Sequence, residues 1–242
     1  MIFSYIFGSL VVLGAVIYLF LFSKVFEVKN IEINQTKMID LTMLQQGISD
    51  ILKQGAILGV IVVPDNILFM PTERIDNFLK SFSGIENFSW HRNIFSRKLK
   101  IDIQEREIAG ILKDREKNYY FDKSGIVFAE APSSEGGMFL IIENELNRSF
   151  DIGNCILEAD AFKDLLSIVG LFNDNFDLNQ IKLQKDKIEI TAGLDDGHQT
   201  LFYLEIDNLK QIYSVLAYFI KNDFNFSLEY VDLRYLPNVY YK

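Results

Sequence analysis

From Ile2 to Phe22 the chain is almost wholly apolar, broken only by Ser4, Gly8, Ser9 and Gly14, and no charged residue precedes Lys24. A helix rises 1.5 Å per residue, so a run of this length reaches about 30 Å, the thickness of a bilayer's hydrocarbon core. An all-apolar helix must be buried on every side. Residues 1–23 are therefore expected to form a single transmembrane anchor, with residues 24–242 working on one side of the membrane. A cleaved signal peptide fits less well. It needs a basic n-region and small residues before a cut, whereas this run has no Lys or Arg ahead of it and leaves through Phe22-Ser23-Lys24-Val25-Phe26. A terminal core helix of a soluble fold is the bland alternative. Orientation stays open. Lys24, Lys29 and Lys37 follow the anchor, which by the positive-inside rule keeps the domain in the cytoplasm, but long domains translocate largely regardless of charge.

Charge narrows the partners. The net charge is -9, so phosphate neutralisation has no basic surface to work with and nucleic acid is excluded. The same charge opposes adhesion to anionic headgroups and leaves membrane attachment to the anchor. Cys155 stands alone, which excludes an intrachain disulfide and a thiolate metal site.

Periodicity gives the order of elements. Residues 26–33 alternate with one slip, as an opening strand with a bulge does. Asp40 is placed to cap a helix through Leu41, Leu44, Ile48, Ile51 and Leu52, ended by Gly55 and Gly59. Thr72 is placed to cap a second, with Ile75, Phe78, Leu79 and Phe82 on one face. Strands are expected at Ile85–Trp90 and 98–104, the latter with Leu99, Ile101 and Ile103 inward. Beyond Arg106 strands dominate: 119–121 and 126–128 about an Asp122–Gly125 turn, then 181–183, 187–191 and 200–204, with 194–198 as a hairpin loop. Two helices interrupt them, one capped by Asp160, the other through Leu209, Ile212, Leu216 and Ile220. The close, Ser227 to Tyr235, reads as one aromatic strand.

Candidate chemistry is sparse. His91 and His198 have no partner at triad or ligand spacing. Asn173 to Asp177 places oxygens alternately but lacks the glycine and glutamate of a calcium loop. Four Asn-x-Ser/Thr triplets begin at Asn34, Asn87, Asn147 and Asn225, a pattern that an Asn-rich chain produces by chance. His91, Arg92, Arg97, Lys98 and Lys100 read either as a docking patch for an acidic partner or as a solvated strand face. The aromatic close reads either as a core strand or as an edge accepting a strand from another chain.

Four stretches, in this order, resemble the FtsQ/DivIB family of bacterial cell-division proteins across the whole chain. They are Phe26-x-Val28-x-x-Ile31-x-Ile33, the run Leu99-Lys-Ile101-Asp-Ile103-Gln-Glu105-Arg106-Glu107-Ile108-Ala109, Phe121-Asp122-x-x-Gly125-x-x-Phe128, and Val231-Asp232-Leu233-Arg234-Tyr235. Departures are Asn34 for a usual Gly, and Ile108 and Ser96 at or near expected prolines. The family usually carries a basic cytoplasmic tail before the anchor; here the sequence opens almost at the anchor, and such a tail would hold the N-terminus inside.

The resemblance implies an α+β protein. A transmembrane helix (1–23) would precede a polypeptide-transport-associated (POTRA) domain of β-α-α-β-β order (24–106). A β-rich domain with a mixed or antiparallel sheet and flanking helices (107–242) would follow. It implies a non-enzymatic scaffold at the division septum, on the extracytoplasmic side of the bacterial cytoplasmic membrane, without substrate or cofactor. Its partners would be the small coiled-coil proteins FtsB or DivIC and FtsL, met in part by strand addition at Arg234, Tyr235, Val239, Tyr240 and Tyr241, with Arg97, Lys98 and Lys100 as a second patch. The alternatives are a POTRA-bearing assembly or secretion factor that binds client polypeptides, and a membrane-tethered enzyme.

Overall fold

The computed structural model describes residues 2–58, 61–132, 139–146, 148–185, 187–193, 198–222 and 226–242. The chain is a mixed α+β protein with an apolar N-terminal helix and divides into two compact units, Met1–Arg106 and Glu107–Lys242.

The first unit opens with α1 (Ile2–Phe22), 21 residues with no charged side chain in either terminal turn. It is long and apolar enough to cross a membrane, and 6% of its span is buried. A single 3-10 turn, Lys24–Phe26, follows, capped by the Ser23 hydroxyl. Then come β1 (Asn30–Ile33), α2 (Leu41–Gln54), the β2–β3 hairpin (Ala56–Leu58 and Ile61–Val63), α3 (Thr72–Lys80), β4 (Ile85–Asn93) and β5 (Lys98–Glu105). The sheet order is β1-β5-β4, with β1 parallel to β5 and β4 antiparallel to it. Strict alternation in β5 turns Leu99, Ile101 and Ile103 into one core, shared with Leu44, Ile48 and Leu52 of α2 and Ile75 and Leu79 of α3. The Asp40 carboxylate accepts the Thr42 N–H at 2.8 Å, as an N-cap does. Asn34 extends the β1–β5 ladder past the end of β1: its amide nitrogen donates to the Ile103 carbonyl at 2.7 Å and its oxygen accepts the Ile103 N–H at 2.6 Å. A glycine there would forgo both bonds.

The second unit holds β6 (Gly110–Asp114), β7 (Lys117–Phe121), β8 (Val127–Ala131), β9 (Leu140–Asn144), α4 (Ala159–Asn175), β10 (Asp177–Leu183), β11 (Ile188–Gly193), β12 (Gln199–Leu204), α5 (Leu209–Lys221), β13 (Tyr230–Asp232) and β14 (Tyr240–Tyr241). Among the described residues these strands form one nine-stranded sheet, ordered β14-β13-β12-β11-β10-β9-β6-β7-β8. Helices α4 and α5 bury Phe162, Leu165, Phe172, Ile212 and Leu216 against Ile142, Ile181, Ile190, Phe202 and Val231. Alternation aims those strand residues at the helices, so their neighbours point to the opposite face. At the β7–β8 turn, Asp122 accepts N–H bonds from Ser124 and Ile126, and Gly125 takes a φ of +77° where an added Cβ would meet the Phe162 ring.

Several expectations are corrected. Thr72 is the first helical residue and Pro71 the cap position, with no side-chain bond there. Glu158 rather than Asp160 precedes α4, again without a side-chain bond, and Asp160 sits in its first turn. Strand β4 runs on to Asn93. The closing segment is not one strand: β13 stops at Asp232, residues 234–237 turn, and β14 returns antiparallel to β13. The terminal strand is short because Asp232 binds the chain that follows it, as described below. Gly59, Asn147, Asn225 and the loop residues 194–197 lie outside the described residues.

Candidate functional site

Away from α4 and α5 the large sheet carries a row of directly opposed residues. Lys113 lies opposite Glu143, Glu143 opposite Lys182, and Lys182 opposite Glu189. The row continues through Tyr203, Asp232 and Tyr240. Charges alternate along its first half, where opposite charges facing one another support the sheet, and Lys113 reaches Glu143 at 3.4 Å. The second half is aromatic. Lys187 lies 4.0 Å above the Tyr203 ring and 3.4 Å from Glu189. Burial and the Glu189 charge push the Tyr203 hydroxyl above its ordinary value.

Asp232 organises this end. It is buried, and Arg234 grips its carboxylate with Nε at 2.9 Å and Nη2 at 2.6 Å while the Arg234 N–H donates at 3.1 Å. Burial raises the Asp232 carboxyl, but the Arg234 bonds outweigh it and hold the group below the usual carboxylate range. The pair bends the chain after β13. The guanidinium also lies over the rings of Tyr203 and Tyr235, at 5.5 and 5.2 Å. Arg234 is thus committed within its own chain, and its nearest role is to shape the turn. Tyr235 stands on that turn, its ring 6.0 Å from Tyr240. Tyr235, Tyr240 and Tyr241 are each more than half exposed.

Strand β14 is one edge of the sheet and β8 the other. Lys242 exchanges backbone bonds with Tyr230, at 3.2 and 3.4 Å. Alternate residues of an antiparallel strand face opposite sides. The N–H and C=O groups of Val239 and Tyr241 therefore point away from β13. Beside this edge a groove of about 530 Å³ is lined by Thr191, His198, Leu201, Leu228, Glu229 and Lys242 among others. Four of the expected residues thus meet at one edge: Tyr235, Val239, Tyr240 and Tyr241. Asp232, Tyr203 and Lys187 were not read from the sequence as site residues. Alternation in 188–190 and 202–204 signals that Glu189 and Tyr203 face away from the core, but strand order is needed to bring them beside Asp232.

Arg97, Lys98 and Lys100 lie in the first unit and are individually engaged. Arg97 sits in the β4–β5 turn and donates to the Lys24 carbonyl at 2.7 Å. Lys98 pairs with Glu32, and Lys100 with Asp102 at 2.9 Å. These are exposed pairs of small net worth, and Lys100 faces solvent beside His91. Asn173 to Asn175 end α4 and Asp177 opens β10. Among the described residues no group of three His, Cys, Asp or Glu side chains is placed to hold a metal ion.

No family model matches the chain, and no curated protein matches it.

Proposed function

We propose that this chain is a single-pass membrane scaffold of the FtsQ/DivIB type, which holds other single-pass division proteins together outside the cytoplasmic membrane. The observation that carries the reading is the place of β14 as an edge strand, beside exposed tyrosines at the end of a long sheet. Main-chain bonds from a partner strand would supply affinity there, and alternate side chains specificity. Two features of the first unit support it. Its β1-β5-β4 sheet and two helices are those expected of a POTRA-like domain, with the short β2–β3 hairpin added between α2 and α3 where a loop was expected, and Glu105 and Arg106, from one of the resembling stretches, both tie β5 to neighbouring loops. The function is one of binding, and the partners expected are small coiled-coil proteins of the FtsB, DivIC and FtsL type.

Proline distinguishes the two faces of β14, because it removes one N–H and is tolerated at sheet edges. Tyr241→Pro removes an outward donor and should weaken partner binding about tenfold or more, since one strong anchor is worth about 2 kcal/mol, while the second unit stays folded. Tyr240→Pro removes an inward donor and should detach β14 itself. Binding that survives both substitutions would place the interface elsewhere.

A further inference from the structure

The carbonyl end of α1 is fastened to the first unit. The buried Asn66 side chain donates to the carbonyls of Phe20 and Leu21 at 2.8 and 3.0 Å, Phe26 stacks on Phe20 with ring centres 5.3 Å apart, and the Val28 N–H donates to the Asp65 carbonyl at 2.7 Å. Around this junction three separate elements expose apolar side chains. Val25, in the turn after the helix, is largely exposed. The β2–β3 hairpin exposes Ile57 (71%), Val62 (50%) and Ile61 (41%); Ile57 and Val62 form a cross-strand pair, while Ile61 projects from the other face. The β4–β5 turn exposes Ile94 and the whole of Phe95.

Chain geometry keeps all three close to the helix end. Residue spacing of at most about 3.6 Å puts Val62 within about 15 Å of Asn66, and Phe95 within about 8 Å of Arg97. Arg97 in turn touches the Lys24 carbonyl, two residues beyond α1. An uncharged, β-branched hairpin without proline that exposes Ile57, Ile61 and Val62 is hazardous in water. The same surface suits the boundary between headgroups and acyl chains, where apolar side chains enter and Lys24 and Arg97 can remain among headgroups.

We propose that the first unit rests on the bilayer through an apolar rim of Val25, Ile57 of β2, Ile61 and Val62 of β3, and the β4–β5 turn, which dips into lipid around the exit of α1. The inference rests on α1 being a membrane anchor. The rim fixes how the unit stands on the membrane, since a helix alone leaves rotation and tilt free, and the Asn66 cap removes the flexible joint that such an anchor usually has.

The test uses the full chain with Cys155→Ser, carrying one cysteine at a time at Val62, Phe95, Leu10 or Asn87, each an exposed position. Each cysteine bears an environment-sensitive fluorophore, in phosphatidylcholine nanodiscs containing nitroxide-labelled lipids. Labels at 62 and 95 should be quenched as groups about 5–10 Å inside the headgroup boundary are, the label at 10 more deeply, and the label at 87, at the end of β4 away from the β4–β5 turn, not at all. If 10 is quenched while 62 and 95 behave like 87, the anchor stands and the rim is wrong. If 10 is not quenched, the anchor reading falls and the rim with it. Emission shifted to the blue at 62 and 95 without lipid quenching would mean that a second copy of the chain covers these residues, which also overturns the proposal.

Discussion

Glu105 shows how much one side chain can organise. Its two oxygens accept the N–H groups of Lys37, Met38 and Ile39 at 2.6, 2.9 and 2.9 Å, closing the loop between β1 and α2 onto the end of β5. Burial alone would push its carboxyl up, but the three N–H bonds and the Lys37 charge outweigh that and hold it low. A carboxyl lowered by folding stabilises fully above its unfolded value, near about 4.3, and loses that contribution as pH falls through the lowered folded value. Glu105→Gln should cost the first unit about 1–3 kcal/mol at neutral pH. It should also flatten the decline of that unit's stability below about pH 4, where the wild-type carboxylate becomes protonated. Urea titrations at several pH values test both. Asn34 makes a related point: it departs from the glycine usual in the FtsQ/DivIB pattern that the chain resembles, yet its amide supplies two ladder bonds. Neither role is visible in the sequence, because each depends on a partner nearly seventy residues away.

Elements were legible where a period was long and a face was buried. The alternation of β5 and the 3.6-residue spacing of α2 each identified the core residues that the structure buries. The turn at Asp122 and Gly125 was legible because its chemistry is local. The end of the chain was not: its aromatic run looks continuous, but the Asp232–Arg234 pair turns it back on itself, and side-chain pairing over two residues has no period. The caps at Thr72 and Asp160 misled because a capping residue marks a helix start only to within a residue or two. The two units invite opposite perturbations. Ile101→Ala empties a fully buried site in the first and should cost that unit about 2–5 kcal/mol. Gly110→Ala would place a Cβ 2.5 Å from the Leu140 carbonyl oxygen and closer still to the Phe121 ring in the second, an overpacking worth about 1–3 kcal/mol. Each substitution should shift a different calorimetric transition; a single transition moved equally by both would contradict independent units.

For the whole molecule, an apolar helix opens the first of two units, and the scaffold reading puts residues 24–242 outside the cytoplasm against the local lysine count. A reporter active only after export, fused behind Lys242, should be active, and one active only in the cytoplasm should be silent. The reverse pattern would remove both the topology and the division reading. The central claim is that the β14 edge holds small single-pass division proteins, and capture from the native membrane tests it most directly. The full-length chain should bring down coiled-coil partners of the FtsB, DivIC or FtsL type, and Tyr241→Pro should release them while the protein stays in the membrane. Capture of a varied set of client polypeptides, or of the same partners at undiminished level by Tyr241→Pro, would contradict it.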